Sequence, residues 1–118
     1  MTVDQEDRAD ALFHALADRT RRDIMRRALA GEHSVSALAL KYDMSFAAVQ
    51  KHVVVLEKAG LITKRRHGRE QLASGDVTAV RSVAAMLTEL EFLWRDRIAR
   101  IDELIAMEDE VGNLRSTD

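Results

Sequence analysis

The sequence predicts a mainly helical chain that carries one small two-stranded hairpin. Three observations lead there. Apolar residues recur at helical spacing through most of the chain. None of the 118 residues is a proline, so nothing forces those periodic runs to break. From Leu61 to Ala73 the pattern changes to two brief runs around His67-Gly68, where glycine tolerates the positive φ of a tight turn.

About five helices are expected. Residues 6–17 form the first, with Ala9, Leu12, Phe13 and Leu16 as its apolar stripe. Asp18 caps a second, running to about Ala30, with Ile24, Met25, Ala28 and Leu29 inward. Ser34 or Ser36 caps a short third helix, Ala37 to Tyr42, with Leu38, Ala39 and Tyr42 facing the core. Asp43-Met44 forms a tight turn, and Ser45 caps a fourth helix, Phe46 to Ala59, that buries Val49, Val53 and Leu56. Leu61 to Arg66 and Glu70 to Ala73 pair as the hairpin. Gly31, Gly60 and Gly112 follow helical patterns as helix-ending residues, whereas Gly68 and Gly75 read as turns. Asp76 opens a last helix to about Met107. Its stripe of Val80, Val83, Leu87, Leu90, Trp94, Ile98, Ile101 and Ile105 is longer than one small domain covers. A second copy of the chain is the simplest cover, and folding back on the first helix is the alternative.

Length fits a single domain over 1–118, with about 1–5 and 108–118 as flexible tails. No cysteine is present, which removes disulfides, thiol nucleophiles and thiolate metal sites. The longest apolar run, Val83 to Leu87, is too short to span a bilayer, and the start of the chain lacks a signal-peptide pattern. A cytoplasmic protein without membrane partners is expected. The formal net charge of −2 conceals a polarised chain. Residues 45–69 carry six cations against Glu57 alone, and residues 89–118 carry nine anions against four cations. A basic segment inside a neutral protein is a candidate phosphate footprint.

A short helix, a turn and a second helix followed by a basic hairpin make a winged helix-turn-helix. Ala39 gives the two helices room to approach. Such a pair exposes the N-terminal half of its second helix, which fits the DNA major groove. That face carries Ser45, Phe46, Ala47, Gln50 and Lys51. Gln50 donates and accepts together, as adenine N6 and N7 require, and Phe46 or Ala47 suits a thymine methyl. Ser45 and Lys51 suit phosphate. His52 has two readings, packing beside the helix or a phosphate contact. Lys64, Arg65, Arg66 and Arg69 gather four charges around the hairpin tip, where they suit the backbone or minor groove.

These residues resemble a known family. Asp18-Arg19-Thr20-Arg21-Arg22-Asp23-Ile24, Ser34-Val35-Ser36-Ala37-Leu38-Ala39, Met44-Ser45 through Lys51-His52, Leu56-Glu57-Lys58-Ala59-Gly60-Leu61 and Arg65-Arg66-His67-Gly68-Arg69 look like the ArsR-type winged helix-turn-helix regulators. The resemblance runs from about Leu12 to Ile105. It implies a homodimeric repressor of operator DNA, released by a signal, with the outer helices forming the dimer. Stripe and resemblance together place that interface at Leu12, Leu16, Leu87, Leu90, Trp94, Ile98 and Ile101. The chain departs from the family at Gln50, where serine is frequent, at Val53, where leucine is, and near Leu72, where a tyrosine is common. These departures bear on the operator sequence.

Many family members sense metals through cysteines or through His and Asp on the last helix. Here Ser36 to Asp43 offers no thiol, and Asp76 to Met107 holds no histidine. His14 shares a face with Asp10 and Asp18, but one nitrogen with two hard oxygens makes a poor zinc site. A regulator without metal or other cofactor is expected, with a small-molecule effector, a partner protein or no signal left open. A metal-sensing repressor with a non-cysteine site is one alternative, and a winged-helix protein-interaction module is another. No glycine-rich phosphate loop, HExxH or GxSxG pattern argues for an enzyme.

Overall fold

The computed structural model describes residues 2–116, with side chains to residue 112. Five helices and three short strands follow in order: α1 (Val3–Leu16), α2 (Arg19–Ala30), β1 (His33–Ser34), α3 (Val35–Ala39), α4 (Phe46–Lys58), β2 (Ile62–His67), β3 (Glu70–Gly75) and α5 (Val77–Ser116). The mainly helical winged helix-turn-helix is the observed fold. The chain divides into two compact units, one up to Val83 and one from Ala84 onward.

Local chemistry sets the helix ends. Thr2 and Gln5 form a reciprocal capping box, so α1 starts at Val3, ahead of the expected residue 6. Asp18 accepts from the Arg21 amide at 3.0 Å and caps α2. Ser34, rather than Ser36, caps α3 through the Ala37 amide at 3.0 Å. The helix therefore starts two residues early and ends before Tyr42, which belongs to the turn. At the end of α4, Gly60 at φ 82° and Leu61 return hydrogen bonds to the carbonyls of Glu57 and Leu56, both at 3.0 Å. This Schellman closure is completed by contact-ready Leu56 and Leu61, both fully buried. The Thr78 amide donates to Asp76 Oδ1 at 2.8 Å and opens α5 as expected. That helix continues through Gly112 to Ser116, so Gly112 does not end it and 108–116 are helical.

The sheet has the order β1-β3-β2, all antiparallel. β1 was not anticipated, because two residues are too few to show alternation. His67 pairs with Glu70, which leaves Gly68-Arg69 as a two-residue loop one position later than expected. Gly68 takes φ 63° at the first loop position, as a type II′ hairpin turn demands. Gly75 ends β3 and has a packing role rather than a turn role. A Cβ there would lie 2.7 Å from Leu29 Cδ2 and 3.1 Å from the Leu29 amide. Only glycine lets β3 approach α2 so closely.

One core holds the first unit together. It joins Leu12 and Ala15 of α1, Ile24 and Met25 of α2, Leu38 of α3, Val49, Val53 and Leu56 of α4, and Leu61, Ile62 and Ala73 around the sheet. Phe13 and Leu29, expected inward, are exposed.

Candidate nucleic-acid interface

α4 is two-sided. Val49, Val53 and Leu56 are fully buried on one side, while Phe46, Ala47, Gln50 and Lys51 are exposed on the other. Ser45 is exposed as well, and its Oγ accepts from the Ala48 amide at 3.1 Å. That cap leaves the hydroxyl proton free to donate. Ala47, Gln50 and Lys51 continue with Val54 and Val55 into a shallow, mostly apolar groove along the helix.

The hairpin lies beside this edge. Phe46 and Gln50 of α4 share a cleft with Ser36 of α3 and with Lys64, Arg69 and Gln71 of the hairpin. The sequence reading offers Ser36 only as a helix cap and does not single out Gln71. The signal for Gln71 was available, since strand alternation sets it on the same face as buried Ala73. The four hairpin cations do not form one group. Lys64 Nζ lies 3.2 Å from Glu57 Oε1 of α4. Arg65 donates from Nε and Nη2 to the two oxygens of Glu32 at 2.9 and 2.7 Å. That pair holds the Glu32 carboxyl below its ordinary range and the Arg65 guanidinium above its own. Among the described residues, Arg66 donates only to the Gly68 carbonyl, at 3.3 Å, and Arg69 stands in the exposed turn.

Comparison with known proteins decides the family. The HTH-type transcriptional regulator Rv2034 of Mycobacterium tuberculosis (strain ATCC 25618 / H37Rv) is 34% identical over 101 residues, 86% of this chain and 92% of the relative. An ArsR family transcriptional regulator known from its crystal structure is 33% identical, with a TM-score of 0.72 over 76% of this chain and 93% of its own. The chain belongs to the ArsR family of winged helix-turn-helix transcriptional regulators. An ArsR-like regulator from Rhodococcus sp. RHA1 has a TM-score of 0.76 at 27% identity, covering 86% of this chain and 96% of its own. No family model matches the chain. Its relatives are transcriptional regulators and not enzymes.

Within this ArsR-family chain the arginine-rich start of α2 is a structural joint. Arg21 donates to the carbonyls of Ala15 and His14 at 2.7 and 2.9 Å, and Arg22 to that of Leu16 at 2.8 Å. They close the open carbonyl end of α1. Arg21 Nη1 also lies 3.3 Å from His52 Nδ1, which is 3.9 Å from Asp18 Oδ2. His52, which the sequence left open between packing beside the helix and a phosphate contact, is half-buried at this joint. The Arg21 amide is the main reason the Asp18 carboxyl titrates below its usual range.

The expected dimer residues also divide. Leu12 is 6% exposed and Leu16 packs against the same core, so α1 spends both inside its own chain. Phe13 and, at the helix start, Val3 are the large apolar side chains that α1 exposes. On α5, Leu87, Leu90, Trp94, Ile98 and Ile101 are all exposed. Among the described residues, no group of three or more His, Asp or Glu side chains is placed to hold a metal ion. No helix there is long and apolar enough to cross a membrane.

Proposed function

We propose that the chain is a cytoplasmic, homodimeric repressor that binds double-stranded operator DNA and needs no metal or other cofactor. One observation carries the reading: the exposed edge of α4 meets the hairpin in a single cleft, with Gln50 and Arg69 both on its wall. An α4 edge of this size enters a major groove, and Gln50 then faces base edges. Ser45 and Lys51 flank it toward phosphate, Phe46 and Ala47 offer apolar contact to thymine, and Arg66 and Arg69 reach the adjacent backbone or minor groove.

The dimer reading is supported by α5. Large apolar side chains stand exposed from Leu87 to Val111, and contiguous exposed apolar surface of this kind marks an interaction site. A symmetric copy of the same helix closes such a face. Gel shift with DNA from upstream of the chain's own gene, run at several salt concentrations, tests the function. A salt-dependent, sequence-selective shift is expected, and its absence overturns the reading in favour of a protein-interaction module. Sedimentation at micromolar concentration is expected to give twice the chain mass. A tightly held zinc, nickel or copper ion that changes operator affinity tenfold would overturn the metal-free part.

A further inference from the structure

We propose that Lys64 and Arg65 are positioning residues that clamp β2 from its two faces, with Glu57 and Glu32 as their anchors, and are not phosphate contacts. The proposal rests on the DNA-binding reading above. Neighbours on a strand point to opposite faces, so Lys64 and Arg65 do not serve one surface together. Ile62, 1% exposed, marks the face turned to the core, and Lys64 shares it. Its ammonium reaches back to Glu57 near the end of α4, and its side chain is only 17% exposed. Thr63 and Arg65 occupy the other face, where Thr63 Oγ1 meets Ser74 Oγ at 3.1 Å.

The Arg65–Glu32 pair bridges the sheet from β2 to the start of β1. The neighbour of Arg65 across the ladder is Leu72, and the neighbour of Leu72 is Ser34. Glu32 stands just before that strand. The Arg65 and Glu32 side chains together bridge two strand spacings, about 10 Å, and the planar fork of Arg65 engages both carboxylate oxygens. Two parallel hydrogen bonds fix orientation as well as distance. β2 is thus held at mid-length to α4 on one face and to the α2–β1 corner on the other. Beyond the clamp, Arg66 and Arg69 have no carboxylate partner among the described residues. The clamp aims those two cations at a fixed distance from Gln50.

Glu32 makes the idea testable, because two accounts predict opposite signs. Removing an acidic residue makes the net charge of −2 less negative, and bulk electrostatics alone then tightens DNA binding. Loss of the clamp weakens operator binding. The variants are Glu32→Gln, Arg65→Gln and the exchange Glu32→Arg with Arg65→Glu. In the DNA-free protein, hydrogen exchange at the β2 amides is expected to speed up in each single variant and to return in the exchange. In anisotropy titrations across salt, each single variant is expected to lose about threefold in operator affinity, the scale of an exposed forked pair. Binding to random DNA and the salt slope stay as in the wild type, and the exchange restores the operator. The proposal is overturned if Arg65→Gln lowers the salt slope by about 0.9, the mark of a lost phosphate contact. It is equally overturned if Glu32→Gln tightens operator binding, or if the single variants change neither exchange nor affinity. A wild-type protein that binds no DNA removes the DNA-binding reading and the clamp's role with it. Unloosened β2 strands in a protein that does bind remove the clamp alone.

Discussion

Residues up to Val83 and residues from Ala84 onward carry apolar side chains at the same helical spacing and treat them in opposite ways. Val49, Val53 and Leu56 in α4 are 0% exposed, whereas Leu87, Leu90 and Trp94 in α5 are 53%, 63% and 57% exposed. Helical spacing therefore announces that a face exists and says nothing about what covers it. In the first unit, turns at Gly31, Gly60 and Gly68 return the chain, so each stripe finds another. At 40 residues and 1.5 Å per residue, α5 runs about 60 Å without a return. Its large apolar side chains from Leu87 to Val111 stand exposed.

The largest expected effects test that contrast directly. Leu56→Ala opens a cavity in a site with no slack and should cost about 2–5 kcal/mol in urea unfolding. On α5, Leu90→Glu should leave the helical content of the chain intact and reduce the sedimenting species to one chain, because a dimer would have to bury an unpaired charge. If Leu90→Glu sediments as the wild type does, α5 is not the dimer face. If instead it unfolds the first unit, the two regions are less different than their exposure indicates.

The fold was largely legible because its punctuation is chemical. Asp18, Ser45 and Asp76 each cap the helix they were expected to cap, and Gly60 ends α4 through a motif that requires positive φ. What was not legible depended on tertiary partners. β1 exists only because β3 offers a free edge to His33 and Ser34. Leu12 and Leu16, assigned to the dimer interface from stripe and resemblance, pack on the core of their own chain, and Phe13, one residue away from Leu12, is exposed. The α4 edge was legible because burial of Val49 and Val53 leaves Gln50 outward. The hairpin was less so, because a run of cations shows no pairing. Only the fold brings Glu32, 33 residues away, to Arg65, and turns Glu57 at the end of α4 toward Lys64.

A smaller effect separates α4 from the hairpin at the interface itself. Gln50→Ala removes a base contact and should cost about 1–3 kcal/mol on operator and little on random DNA. Arg66→Ala removes a phosphate contact. It should weaken both kinds of DNA nearly equally and lower the salt slope by about 0.9 per subunit. An arginine in a narrow minor groove also reads its width, so a small share of specificity at Arg66 is compatible with this assignment. Titrations of both variants at several salt concentrations decide it. Unchanged operator and random binding in Gln50→Ala would show that residue 50 does not face the bases.

The smallest expected effect lies at the joint between α2 and the turn that leads into α4. Tyr42 donates its hydroxyl to Asp23 Oδ2 at 2.7 Å, Arg27 Nε donates to the same oxygen at 3.1 Å, and the Arg27 guanidinium lies 5.8 Å from the Tyr42 ring centre. Burial first, and then the bond to Asp23, pushes the phenol up to about 12, while that bond and Arg27 hold the Asp23 carboxyl below its ordinary range. The two shifts act at opposite ends of the pH scale. A raised phenol value means that the unfolded chain loses its proton first. The stabilisation is therefore complete below the ordinary phenol pKa, about 10, and is lost as pH rises toward 12. A depressed carboxyl value means that its stabilisation is complete above the ordinary 3.8 and is lost as pH falls through the lower folded value. Tyr42→Phe keeps the ring and removes the bond, so it should cost about 1 kcal/mol at neutral pH. It should also abolish the Tyr42 share of the alkaline decline and shrink the acid one, where Arg27 still holds Asp23. Urea midpoints measured from pH 3 to 11 for both proteins check this. If the alkaline limbs superimpose, the Tyr42 hydroxyl does not hold the turn to α2.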